Sequence, residues 1–282
     1  MARTFVVERR AYALTGPTLV AMALLTVVPI VVVISRAASA EGRAIAGSLL
    51  GSSQFHQILG RTGIWTVVSV VGAMVIGFAA ALILQSGHVR WPGLWRGILM
   101  VPWIIPGVVG ATIWKWGYSS TYGLLNHALV SLGLIDQPVQ WLSNPEIVLY
   151  ALAAVQVWST APFVMLLLGA ALTSIPGERY EAARLDGAHA VGLFRHITLP
   201  AVNATAAIAT LMLVTFALNA FTIIWVSTAG GPVGASTILP VELYRAFQNG
   251  DDTTVAVIAC VQLLISAVFA LIYVRSIKAG DE

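Results

Sequence analysis

Between Tyr12 and Val274 the chain is cut into six apolar runs, about Tyr12–Ile34, Thr62–Leu84, Leu94–Trp114, Ile147–Leu172, Ala201–Val226 and Val255–Val274. At about 1.5 Å of helix rise per residue, each is long enough to cross roughly 30 Å of hydrocarbon. In that solvent a backbone can satisfy its own polar groups only as a helix or a closed barrel. Runs of this length specify helices. Composition agrees, because 282 residues with 58% apolar and 10% charged side chains carry too little charge to coat a soluble domain. The expected fold class is therefore all-α: a polytopic membrane protein with six transmembrane helices.

Basic residues set the expected orientation. With the N-terminus inside, Arg3, Arg9, Arg10, Arg90, Arg96, Arg179, Arg184, Arg195, Arg275 and Lys278 face the cytoplasm, against Arg36, Arg43, Arg61, Lys115 and Arg245 outside. That asymmetry obeys the positive-inside rule and puts both termini inside. It also accounts for the net charge of +3, and no basic, aromatic-interleaved domain supports a nucleic-acid role. The apolar run after Arg10 is too long for a cleaved signal core, so the first segment is expected to remain as a helix. Cys260, the single cysteine, lies in the sixth run and can form no internal disulfide.

One polar, helix-forming insert interrupts this pattern between the fourth and fifth runs. In residues 175–200, Pro176 suits a first helical turn, and Glu178 and Glu181 lie near that turn, where the helix dipole favours negative charge. Gly187 can adopt a left-handed backbone and end the helix. Val191, Phe194, Ile197 and Leu199 then give a second amphipathic piece running to Pro200. The spacing alone leaves two readings open, a docking loop and an interfacial connector that docks on nothing.

Titratable groups narrow the transport mechanisms. None of the 12 acids falls inside a run, and the first, fourth, fifth and sixth runs hold no Asp, Glu, Lys or Arg, whereas proton-coupled carriers use intramembrane carboxylates. There is no G-x-x-x-x-G-K-[ST] phosphate loop, so nucleotide hydrolysis would need another chain. His56, His88, His127, His189 and His196 lack metal-site spacing. No catalytic or metal residue is expected, and neither a stand-alone carrier nor a membrane-embedded enzyme explains the polar insert.

Glu181-Ala182-Ala183, followed by Gly187 and, past nine intervening residues, by Ile197, Leu199 and Pro200, resembles the coupling loop of binding-protein-dependent ABC importer permeases. Trp114, Tyr122-Gly123-Leu124-Leu125-Asn126, Trp141-Leu142, Val157-Trp158, Pro162-Phe163, Ile175-Pro176 and Gly230-Gly231-Pro232 are similar in order and spacing to the sugar-type branch. The resemblance implies one permease domain over residues 1–282, in a bacterial cytoplasmic membrane. It implies a second, homologous permease subunit, two copies of a cytoplasmic ATPase that binds ATP and Mg, and an extracytoplasmic substrate-binding protein. No cofactor is implied in this chain itself. The substrate would be a mono- or oligosaccharide, with glycerol 3-phosphate or another small polar solute as the alternative. Glu181, Ala182, Ala183, Asp186, Gly187 and Ala188 would meet the ATPase, Glu181 through a basic partner residue.

The same resemblance places Ser159, Thr160, Phe163, Phe216 and Asn219 on the substrate path, with Phe221 close by. Their chemistry suits a neutral polyol: amides and hydroxyls exchange hydrogen bonds with sugar hydroxyls, and aromatic faces pack on the C–H face of a pyranose. The competing reading is that the hydroxyls bond back to their own helix and Asn219 bridges helices. Gln156 and Asn203 are weaker candidates. Outside the runs, Leu124, Leu125, Ala128, Leu129 and Leu132 predict a short amphipathic helix at the outer interface. Trp91, Trp95, Trp114, Trp116 and Trp141 suit interfacial belts.

Overall fold

The computed structural model describes the backbone of residues 2–278 and the side chains of residues 15–273 and of Arg275. Among these residues there is no strand, and the helices are α1 Ala2–Ala37, α2 Ala40–Gly51, α3 Ser53–Gln85, α4 Pro92–Ile104, α5 Gly107–Gly117, α6 Leu124–Ser131, α7 Val148–Thr173, α8 Gly177–Leu185, α9 Ala190–Leu193, α10 Leu199–Leu218, α11 Thr222–Thr228, α12 Leu239–Gln248 and α13 Asp252–Lys278. Five are long and apolar enough to cross a membrane, or six if the bent pair α4 and α5 is one span. The expected positions of Met1 and residues 279–282, and the side chains of Arg3, Arg9, Arg10 and Lys278, lie outside the described residues.

The chain divides into two compact units, one made of residues up to Phe55 together with Leu243–Leu264, the other of His56–Glu242 together with residues from Ile265 on. In the first, α1 presents a predominantly apolar span of 23 residues, Thr15–Ala37, and none of them is buried. Such a surface suits lipid or another protein, not water. Ser39 caps α2 by accepting from the Gly42 amide at 3.0 Å. Asp251 likewise accepts from the Thr254 amide at 2.9 Å at the start of α13; hydrogen bonds from the Thr254 hydroxyl and amide hold its carboxyl below the usual carboxylate range. Arg36 pairs with Asp252 at 2.6 Å, a half-exposed ion pair that contributes little to stability.

The second unit is organised around α7, whose buried face includes Leu152, Val155, Val164 and Leu168. Helix α3 runs parallel to it, because two glycines permit contact at backbone range: a Cβ on Gly72 would come within 2.6 Å of Val157 Cγ2, and one on Gly77 would strike the Ala161 carbonyl oxygen and Val164. Small residues are how membrane helices reach such packing. Buried Trp65 on α3 donates its indole N–H to the Ala217 carbonyl of α10 at 3.1 Å. On the far side, the Leu239 amide donates to Thr62 Oγ1 at 3.1 Å.

Three expectations are corrected. The third run is not one straight span: α4 and α5 meet at a 95° bend, because Pro106 has no N–H to continue the ladder and forces Ile105 into an extended conformation (φ −65, ψ 128). The fifth run is interrupted at residues 219–221, between α10 and α11. The amphipathic piece after Gly187 does not stop at Pro200. It continues through a π-helical turn, Phe194–Thr198, into α10, and Pro200, which has no N–H to give the ladder, stands where the π turn passes into the α-helix. Further, the outer stretch 36–61 is largely helical, made of α2 and the first turns of α3, while α6 forms where the amphipathic pattern predicts it.

Candidate functional site

Two places gather the residues singled out by the sequence, one in the polar insert and one at the paired helix breaks. In the insert, α8 has no buried residue, and its C-terminus is closed by two hydrogen bonds. The Ala188 amide donates to the Ala183 carbonyl at 2.9 Å and the Gly187 amide to the Arg184 carbonyl at 3.0 Å, the pattern of a Schellman cap. Gly187 supplies its left-handed residue, with φ +82. A Cβ at Gly187 would touch nothing within 4 Å, so the cost of a side chain there is backbone strain alone, about 1–2 kcal/mol. Gly187→Ala is therefore expected to lower hydrogen-exchange protection of the Ala188 amide by roughly five- to thirtyfold. Gly187→Asn should lower it much less, since Asn visits this conformation. Equal loss in both variants would show that the turn does not depend on φ.

Tyr180 OH and Thr198 Oγ1, 3.0 Å apart, tie α8 to the π-helical turn. Phe194 in that turn lies 5.8 Å from Phe78 of α3, ring centre to ring centre, so the insert is anchored on the bundle rather than hanging from it. Between α8 and the start of α10, Ala182, Ala183 and Asp186 line a surface groove of about 600 Å3 with Ile197 and Pro200. Glu181 points to solvent with no ion pair or hydrogen bond among the described residues. Leu185 and Val191 are 89% and 78% exposed. The insert thus exposes two large aliphatic side chains and a carboxylate without a partner among the described residues. Leu185 escaped the sequence reading. Its signal was a lone Leu between Arg184 and Asp186 in an otherwise polar segment.

At the helix breaks, Trp103 sits one turn before the bend between α4 and α5. Its ring centre lies 5.1 Å from Phe163 on α7 and 5.6 Å from Phe216 on α10, while Phe163 and Phe216 are 5.7 Å apart at 74°. Three rings from three helices thus make one cluster. The second break lies beside the first, for a Cβ on Gly107 would be 3.7 Å from Thr222 Cγ2, and Lys115 Nζ donates to the Val226 carbonyl at 3.1 Å. Phe221 stacks on Trp225 at 5.5 Å and 19°.

The polar candidates are engaged within their own helices. Ser159 and Thr160 both donate to the Gln156 carbonyl, at 2.9 and 2.7 Å, and Asn219 Nδ2 donates to Thr215 at 2.8 Å. Thr160 and Gln156 are buried, whereas Asn219 and Asn203 are exposed. Trp103 was missed by the sequence reading, although its place between Pro102 and Pro106 marks an interrupted span. The belt reading suits Trp91, Trp95 and Trp116, which are exposed. It does not suit Trp114 and Trp141, which pack with Tyr118 in a separate core.

Bent and interrupted membrane helices around an aromatic cluster, with a polar helical insert between two spans, are the architecture of a membrane transport subunit. The chain belongs to the family of binding-protein-dependent transport system inner membrane components, whose model matches residues 73–278. It is 34% identical, over 83% of its own length and 81% of the relative's, to a probable ABC transporter permease protein of Brucella suis biovar 1 (strain 1330). It is 35% identical, over 75% of its length and 70% of the relative's, to the trehalose/maltose transport system permease protein MalF of Thermococcus litoralis. In fold it is similar to a chain of a bacterial ABC transporter involved in the import of the acidic polysaccharide alginate. The TM-score is 0.82 at 23% identity, covering 97% of this chain and 98% of that one.

Proposed function

We propose that this permease subunit passes a neutral sugar or oligosaccharide through the bacterial cytoplasmic membrane by alternating access, driven by a separate ATPase. The observation that carries the solute class is the cluster of Trp103, Phe163 and Phe216 beside the breaks. Aromatic faces suit the C–H faces of a pyranose, and the Asn219 amide at the end of α10 offers hydrogen bonds of the kind sugar hydroxyls exchange. Helices α7, α10 and α11 contain no Lys or Arg, which disfavours glycerol 3-phosphate and other anions. The relatives that carry sugar names point the same way.

In this reading the insert faces the cytoplasm. Glu181, Ala182, Ala183, Asp186, Gly187 and Ala188, with Leu185 and Val191, dock on an ATPase that binds ATP and Mg. A second homologous permease completes the pathway, two ATPase copies drive it, and an extracytoplasmic binding protein delivers solute. The fitting test is reconstitution of the complex in liposomes. ATP-dependent uptake of labelled trehalose or maltodextrin is expected, and uptake of glycerol 3-phosphate in preference to both would overturn the solute class. Orientation has its own check: in intact cells a cysteine placed at 137 should react with a membrane-impermeant maleimide and one at 188 should not. The reverse pattern would invert the topology.

A further inference from the structure

On the side of the bundle opposite the insert, where α5 ends and α7 begins, a cavity of about 450 Å3 opens between the residues after α5, the segment 140–143 and the turn after α11. We infer that this cavity is a second, outer sugar subsite, which receives the solute before it reaches the helix breaks; the inference rests on the sugar reading above. Its size falls within the range of small-molecule sites, about 300–1,000 Å3. Trp141 and Tyr122 supply aromatic rings, and around them lie Ser120, Gln140, Ser143 and Ser227.

The walls are fixed by hydrogen bonds that leave those polar groups uncommitted. Asn126, 3% exposed, donates to the carbonyls of Ser119 at 3.2 Å and Val139 at 2.9 Å. It also accepts from the Val139 amide at 2.9 Å and the Trp141 indole at 3.1 Å. One buried side chain thus holds both the backbone after α5 and the ring of Trp141. The opposite wall is pinned by Thr228 and Ser236, whose hydroxyls are 2.8 Å apart, by Ser236 donating to the Gly231 carbonyl at 2.6 Å, and by Thr237 donating to that of Gly230 at 3.0 Å.

By contrast, the side chains of Ser120, Gln140, Ser143 and Ser227 and the Tyr122 hydroxyl have no hydrogen-bond partner among the described residues. Ser227, although only 7% exposed as a residue, lines the cavity, where a ligand or water can meet its hydroxyl. Neutral donors and acceptors on rigid walls, beside aromatic rings, are the recognition chemistry of a neutral polyol. At the cavity's edge Lys115 donates to the Val226 carbonyl, which holds the ammonium against that wall without neutralising it.

The test uses the full-length chain in lipid nanodiscs on a Cys260→Ala background. A trifluoromethyl label is placed at the cavity through Ser120→Cys or, in a second sample, at the helix breaks through Ala220→Cys, which leaves Asn219 in place. Fluorine spectra are recorded during titration with maltotriose, trehalose and, as a non-sugar polyol, glycerol. The label at 120 is expected to shift saturably with at least one sugar and not with glycerol. Gln140→Ala with Ser143→Ala should weaken that sugar about tenfold, the loss of two hydrogen bonds of ordinary net worth, while leaving the response at 220 unchanged. A saturable shift at 220 with none at 120 would overturn the outer subsite and leave the sugar reading standing. No sugar response at either label would remove both. Equal shifts with glycerol, or an unweakened response in the double variant, would also overturn the subsite.

Discussion

Glu181→Lys is expected to leave the permease folded and in the membrane while cutting its association with the ATPase about thirty- to several-thousandfold, the equivalent of 2–5 kcal/mol for a charge pair broken at an interface. The structure explains why folding should be spared. Glu181 stands on the solvent face of α8 with no partner among the described residues, and the cap that holds α8 is made by the backbone of residues 183–188. Leu185→Asp acts on the same surface through a different force. It removes an 89% exposed apolar side chain and adds a carboxylate that the partner would have to desolvate. Co-purification of the ATPase at equal permease expression is the measurement. Wild-type recovery with both variants would reduce the insert to a connector and remove the docking assignment.

The second large effect is expected at the helix breaks. Phe163→Ala deletes the ring that meets both Trp103 and Phe216. Each aromatic pair contributes about 0.5–1.5 kcal/mol to the packing of these helices, and with the ring that the solute reading places on the path also gone, sugar uptake should fall roughly tenfold or more. Phe163→Leu keeps most of the volume and so separates helix packing from ring chemistry. If Leu restores uptake fully, Phe163 serves packing; if Leu stays impaired at normal ATPase association, the ring faces the solute. Asn219→Leu should behave like the second case, because Asn219 is exposed at the end of α10 and the change removes its amide.

The extent of the spans was legible because hydrophobic length is a local property: α7 at Val148–Thr173 lies within a residue of the expected Ile147–Leu172. Gly187 was legible for a similar reason. Its left-handed turn follows from a glycine after a short polar helix, whatever packs around it. The breaks were harder to read. A run of apolar residues looks continuous whether or not its hydrogen-bond ladder is, and the expected third span, Leu94–Trp114, runs across Pro106 without a break. The interruption at 219–221 has no proline at all, and only the fold reveals it.

The glycines at 72 and 77 were equally silent, since a close approach depends on a partner helix some eighty residues away. Trp114 and Trp141 misled in the opposite direction. Their positions near span ends suit an interfacial belt, but Tyr118 and Asn126 draw them into a small core. The grouping of Trp103, Phe163 and Phe216 could not be read from spacing, because it joins three helices.

A continuous helix is a stiff rod, and a push at one end arrives undiminished at the other. Helices α4–α5 and α10–α11 are not such rods. Each loses its ladder part-way, and the two far pieces are clasped to each other by Gly107 against Thr222 and by Lys115 on the Val226 carbonyl. A displacement entering at α8 and the foot of α10 is therefore not obliged to reach the far surface. The near pieces can swing while the clasped far pieces stay put, or the reverse, with Ile105–Pro106 and residues 219–221 as the joints. Two doors hung on this one pair of joints, one made of the near pieces and one of the far pieces, need not open together.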